Sequence, residues 1–217
     1  MSDPLETYQS VRLQQTKKNL EAHFFGVSLC QSLTQAEDII ASQIVEQSEA
    51  KTIGFGGSAT VGQSNLVSKL KAISSLEVFD RNNPNLSPVE RSELSRKCLT
   101  ADLFISSVNA ISINGQLIGI DKMGNRLAAL IYGARKVALV VGRNKLTDNL
   151  ESALARAKNV ASPINAMRFE ADVPCAKTGR CYDCQNPNRL CAVTAVIERS
   201  FPPQRIHVLL VNQDLGF

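Results

Sequence analysis

The sequence predicts an α/β domain, a mainly parallel sheet flanked by helices, and three observations carry that reading. Short apolar runs alternate with helical periodicities from Lys51 to Val211, as expected of repeated strand–helix–strand units. Lys136 to Val141 (KVALVV) is a near-continuous apolar run, which a central parallel strand covered on both faces requires. A glycine-rich turn follows the strand Lys51 to Phe55, and open parallel sheets place ligands beyond the carboxyl ends of their strands.

Taken in order, residues 4 to 25 read as a polar-faced helix that Gly26 is placed to end. Thr34 and Glu37 have capping-box spacing and open a second helix carrying Ile39, Ile40 and Ile44. Ser64 to Ile73 is helical, and Leu76 to Phe79 is a strand ending in Asp80. Ser87, Pro88 and Glu90 supply a cap, a first-turn proline and an N3 carboxylate for a third helix. Asp102 to Val108 is a buried strand, and the two apolar runs after it are joined by Asn114-Gly115, a strong hairpin signal. Asn125 to Tyr132 and Thr147 to Val160 read as helices, and Val193 to Glu198 and Arg205 to Val211 as two late strands around Pro202-Pro203. The chain divides into residues 1–50, a helical segment packed on the main domain, and residues 51–217, the α/β domain with a cysteine-rich loop at 175–191. The first part is either a dimerisation arm of a homo-oligomer or a lid.

Of 217 residues, 44% are apolar and 20% charged, with a net charge of +4, ordinary values for a chain that builds a core. The cations are scattered without basic runs or interleaved aromatics, so no nucleic-acid partner is expected. No apolar window reaches the length of a membrane span, and the N-terminus lacks the basic-then-apolar order of a signal peptide. A cytoplasmic location follows as an expectation, and with it reduced thiols.

The turn Gly54-Phe55-Gly56-Gly57-Ser58-Ala59-Thr60 lets backbone approach a ligand closely and offers amides and hydroxyls to an anion. Gly56, Gly57, Ser58 and Thr60 are the candidates. The same stretch fits a loose dinucleotide fingerprint through Gly54, Gly56 and Ala59, with Asp80 where a ribose-binding acid would stand. A tight turn that binds nothing is the third reading.

Cys175, Cys181, Cys184 and Cys191 are spaced C-x5-C-x2-C-x6-C, and Gly179 and Pro187 keep the segment from closing into one helix. Four thiols so grouped in a reducing compartment point to a soft metal. Structural zinc commonly clamps two separated C-x2-C pairs, whereas a single loop with a central pair resembles the cluster loop of some DNA-repair glycosylases. A [4Fe–4S] cluster is therefore favoured and zinc is the alternative, with free thiols or disulfides the bland one. A metal with four protein ligands is structural or an electron relay, not hydrolytic. Lys177, Arg180 and Arg189 flank the thiols and would offset their charge.

Other polar candidates stand at predicted strand ends: Ser106, Ser107 and Asn109 after one, Arg143, Asn144 and Lys145 after another, with Asp121, Asn125 and Arg126 beyond the hairpin. Asp121 serves as an acid or base if buried, or else is a solvated loop residue while Asn125 caps the next helix. His23 and His207 are the two histidines, and neither stands in a nucleophile–histidine pattern.

The stretches GFGGSATVG, ADLFISSVNAISINGQLIGIDKMGNRLAALIYGARKVALVVGRNK and RIHVLLVNQDLGF resemble the lactate-utilization (LUD) domain family. That resemblance implies a fold similar to ribose-5-phosphate isomerase, glucosamine-6-phosphate deaminase and CoA transferases, with the glycine turn where those folds bind phosphate or carboxylate. It also implies a part in oxidising lactate to pyruvate alongside iron–sulfur partner proteins, and it assigns no catalytic residue. Two functions are expected: an accessory or subunit of lactate-type 2-hydroxy acid oxidation with a small anionic ligand, or a binding protein for a sugar phosphate, carboxylate or nucleotide with a zinc that only staples the loop. An isomerase or transferase role by fold analogy is the third.

Overall fold

The computed structural model describes residues 3–81 and 83–217. Among the described residues ten strands form two sheets: β1 (Gly26–Cys30), β2 (Thr52–Phe55), β3 (Glu77–Phe79), β4 (Leu103–Ser106), β5 (Ala110–Ser112), β6 (Leu117–Asp121), β7 (Lys136–Gly142), β8 (Leu146–Thr147), β9 (Val193–Ile197) and β10 (Ile206–Val211). The larger sheet has six strands in the order β1-β10-β7-β4-β2-β3, and every pairing in it is parallel. The smaller has the order β8-β5-β6-β9, with β5/β6 and β6/β9 antiparallel and β5/β8 parallel. Helices cover the large sheet, so the α/β expectation holds.

β7 shows why the sheet is buried on both sides. Val137, Leu139 and Val141 enter one core with Leu13 and Leu20 of the helix Pro4–Ala22. Ala138 and Val140 enter the other with Ile40, Ile44, Leu66 and Leu70. Successive side chains alternate between two apolar cores, which is what an uninterrupted KVALVV run permits. The hairpin forms at Asn114-Gly115 with Gly115 at φ 92°, and Ser87 and Glu90 close the capping box that starts Pro88–Leu99.

The N-terminal fifty residues differ from expectation. They contribute β1, paired to β10 at the sheet edge, and so carry part of the sheet itself. The first helix ends at Ala22 with Phe24, not Gly26, in the left-handed region at φ 64°. Gly26 instead opens β1, where a Cβ would stand 2.6 Å from His207 Nδ1. The second helix is capped by Ser32, which accepts from Gln35 N, not by Thr34. Glu37 is buried; it accepts the Asn65 amide at 2.8 Å and pairs with Lys69 at 2.9 Å, leaving its own helix end. The late strands also separate: β9 joins the small sheet and β10 the centre of the large one.

Among the described residues three helices widen through π-helical turns, among them Ala129–Gly133. That turn releases carbonyls which buried Arg205 collects, donating to Leu130 O at 2.7 Å, to Ala134 O at 2.8 Å and to Ala129 O at 3.2 Å. Arg205→Met leaves the Leu130 and Ala134 oxygens without that donor, while Ala129 O keeps the Ala134 amide at 3.3 Å, an expected loss of about 2–4 kcal/mol. The check is the urea midpoint, which falls at constant m; an unmoved midpoint would refute the account. Among the described residues no helix is long and apolar enough to cross a membrane.

Candidate functional site

At the carboxyl ends of β2, β4 and β7 a cavity of about 530 Å³ opens. Of the residues expected to hold a ligand, Gly57, Ser58, Asn109, Asp121, Asn125, Arg126 and Lys145 line it. Gly56 lies just behind, its amide donating to Ile105 O at 2.9 Å; a Cβ there would come within 2.5 Å of Ser106 Oγ. At Gly57 a Cβ would meet nothing within 4 Å, so the backbone faces open space. Ser58 accepts from Val61 N at 3.2 Å and thereby starts a single helical turn.

Thr60 is fully buried and reaches the site through Lys145. Lys145 Nζ donates to Thr60 Oγ1 at 2.7 Å, Ser107 Oγ at 3.0 Å and Val108 O at 3.1 Å. Lys145 is 3% exposed, and its amine is lowered to about 7, first by burial and then by repulsion from Arg156 and Arg126. The other two members of its trio turn away. Arg143 pairs with Glu6 and Asp214, and Asn144 holds the Leu215 amide and the Gly216 carbonyl.

Asp121 is neither a solvated loop residue nor an open acid. It is buried in an ion pair, accepting from Arg126 Nε at 2.9 Å and from Leu127 N at 2.9 Å. Arg126 also donates to Asn109 Oδ1 at 2.6 Å and to Ile120 O at 2.8 Å, so the guanidinium is fixed at the cavity wall. Asn125 is the first residue of the helix Asn125–Ala128, and Gly124 occupies the cap position at φ 77°. The dinucleotide arrangement is not assembled: Asp80 bonds Lys71 at 2.8 Å and lines a different cavity from Gly57 and Ser58. His207 pairs its Nε2 with Ser28 Oγ at 2.9 Å in β10, away from the cavity.

The cysteine segment forms the neighbouring wall. Cys175 lies in the short helix Pro174–Thr178, which Gly179 ends at φ 70°, and the other three are on irregular chain. All four thiols are free and partly exposed. They stand within electrostatic reach of one another: the Cys175 thiol is pushed up by burial and then by Cys191, Cys184 and Cys181. Cys175, Cys184 and Cys191 face one small void, and Cys181 and Cys191 an adjoining one of about 120 Å³. Arg189 spans them, donating to Cys184 O at 2.7 Å and Cys191 O at 3.1 Å, and its guanidinium is raised first by its bond to the Cys191 thiol. Among the described residues, no three Cys, His, Asp or Glu side chains meet as a ready metal cage. Asn188 and Leu190 of this segment, and Asp172 just before it, line the main cavity, and Ala192 N donates to Asp121 O at 2.9 Å.

The sequence signature of the LUD domain matches residues 13–211. This chain belongs to the LUD-domain family. The match spans β1, the glycine turn, the hairpin, the cysteine segment and β10, so the thiols and the cavity lining other than Phe217 fall within the matched residues. Among solved structures, one of a DUF162 family protein from Deinococcus radiodurans aligns with a TM-score of 0.49 at 12% identity, over 94% of this chain and 98% of that one. Comparison with curated proteins gives no match.

Several lining residues of this LUD domain escape a reading of the sequence. Arg81, Lys122, Met123, Arg168 and Phe169 come from loops and a helix end with no motif around them. Arg81 Nε is buried with no hydrogen-bond partner among the described residues. Arg168 stacks on the Phe169 ring at 4.4 Å. Only the chain path brings these side chains to the glycine turn.

Proposed function

We propose that this LUD-domain protein binds a small organic anion of the 2-hydroxy or 2-oxo acid class in the cavity and serves a lactate-type oxidation. The observation that carries the reading is the charge of the lining: Arg81, Lys122, Arg126, Lys145 and Arg168 face Asp121 and Asp172, and the Asp121 charge is already spent on Arg126. Gly57 and Ser58 leave backbone open beside these cations, so a carboxylate gains amide donors within the field of the ammonium and guanidinium charges. Oxidising a 2-hydroxy acid removes two electrons and two protons, and the electrons pass to an iron–sulfur or other redox partner protein. Cys175, Cys181, Cys184 and Cys191 are the residues that would hold a [4Fe–4S] cluster, with Arg189 offsetting thiolate charge. Such a group supplies single-electron relay beside the cavity wall, and zinc in its place leaves the binding role alone.

The test is thermal shift with lactate, pyruvate, inorganic phosphate, a sugar phosphate and NAD on the native chain and on Gly57→Val. A Cβ at Gly57 meets nothing within 4 Å, so the fold is expected to accept the valine while its branches fill the space the anion needs. The acids are expected to stabilise the native protein by RT ln(1 + [L]/Kd) and leave the variant unmoved. An equal shift in both would remove the turn from the site.

A further inference from the structure

The cavity is too large and too divided in character for a three-carbon acid alone. Its volume of about 530 Å³ falls in the roughly 300–1,000 Å³ range of pockets that enclose drug-sized molecules. The floor is cationic and buried, with Lys145 at 3% and Arg126 at 9% exposure. The rim mixes charge with uncovered apolar groups: Met123 is 77% and Phe169 60% exposed beside exposed Lys122, Asp172 and Asn188, and Leu190 and Phe217 also line the opening. Large apolar side chains gathered at the mouth of a polar pocket mark a surface that a ligand covers.

Arg168 gives that rim its shape. Its guanidinium lies 4.4 Å from the Phe169 ring and 5.7 Å from the Phe217 ring, so one cation fixes two rings beside the same cavity. Rings held in this way present faces and edges to a flat partner, which aromatic groups meet by offset or edge-on stacking. A carboxylate seated at Gly57, Ser58 and Lys145 leaves a substituent on its chain to run outward between Met123, Phe169 and Leu190.

Building on the anionic-acid reading above, we propose that the preferred ligand is a 2-hydroxy or 2-oxo acid bearing an aromatic side chain, with Phe169 and Met123 the specificity-determining residues. Lactate and pyruvate fill only the floor. The aromatic group adds contacts at the rim without changing how the carboxylate is held.

Titration calorimetry with lactate, 2-hydroxy-3-phenylpropanoate and 2-phenylethanol, on the native chain, Phe169→Ala and Met123→Ala, decides the matter. The aryl acid is expected to bind roughly tenfold or more tightly than lactate, as apolar pocket contacts discriminate, and the alcohol, lacking the carboxylate, not measurably. Phe169→Ala should lower aryl-acid affinity far more than lactate affinity and so erase most of that preference; Phe169 is exposed, so the fold tolerates its loss. Equal affinity for the two acids in the native chain, or a preference that survives both substitutions, overturns the proposal while the anionic-acid reading stands. Silence toward both acids overturns the two together, and binding of the alcohol as tight as the aryl acid assigns the rim to an apolar partner instead.

Discussion

Affinity for an acid that is fully ionised throughout, such as lactate, falls as the pH rises past about 7, because Lys145 must carry a proton to receive it. The amine is buried and its charge repelled by Arg156 and Arg126, which lowers it from 10.5 to about 7. Below that pH the ammonium is present before the ligand arrives, and affinity is level. Above it, binding must draw a proton onto Nζ, and affinity drops by roughly tenfold for each pH unit. Calorimetry in buffers of different ionisation enthalpy reads the proton uptake directly. Lys145→Met removes the slope and costs about a hundredfold in affinity below pH 7. A flat profile in the native chain would refute the role.

The same titration acts on folding, with a sign that can be worked out. In the unfolded chain the amine titrates near 10.5, in the folded chain near 7. Between those values the unfolded state binds more protons, so stability rises with pH across the window. The destabilisation from burying the ammonium is complete below about pH 7 and is relieved by about pH 10.5. Lys145→Met flattens this rise, which denaturant unfolding at the two ends of the window measures.

What the sequence makes legible is what local chemistry dictates. Asn114-Gly115 forms its hairpin because Gly115 takes φ 92° at no steric cost, and Ser87 with Glu90 forms its capping box from within four residues. Thr34 fails for the opposite reason: Glu37, its expected partner, is drawn to the Asn65 amide and Lys69, and tertiary contact overrides a local motif. Arg143, Asn144 and Lys145 stand together in sequence, but a 3-10 turn spans them. With three residues per turn the three side chains leave in different directions, so only Lys145 reaches the cavity. The apolar rim is further from view still, since Met123, Phe169, Leu190 and Phe217 are separated along the chain and joined only by its path.

Preventing metal binding is expected to open the segment 175–191 while the sheet stays folded. From Pro174 to Ala192 no residue is buried, so hydrophobic burial holds the segment 175–191 weakly; Val193 onward is tied to β6 in the small sheet, and within the segment what remains is Arg189, the Lys177–Asp172 pair and the Asn186 bond to Asp172 O. Thiolate–metal bonds in small domains contribute about 10–16 kcal/mol, comparable with the roughly 5–15 kcal/mol that holds a whole domain. Protein purified without oxygen should therefore carry iron, with visible absorption that bleaches on reduction, or else zinc and no colour. Cys184→Ser should lose the metal and become cleavable by protease within 175–191, with the two-core sheet intact by circular dichroism. Because Asn188 and Leu190 wall the cavity from this segment, acid binding should weaken in the same variant. Metal retained by Cys184→Ser, or a segment as protected as in the native chain, would remove the thiols from the site and leave the cavity to act alone.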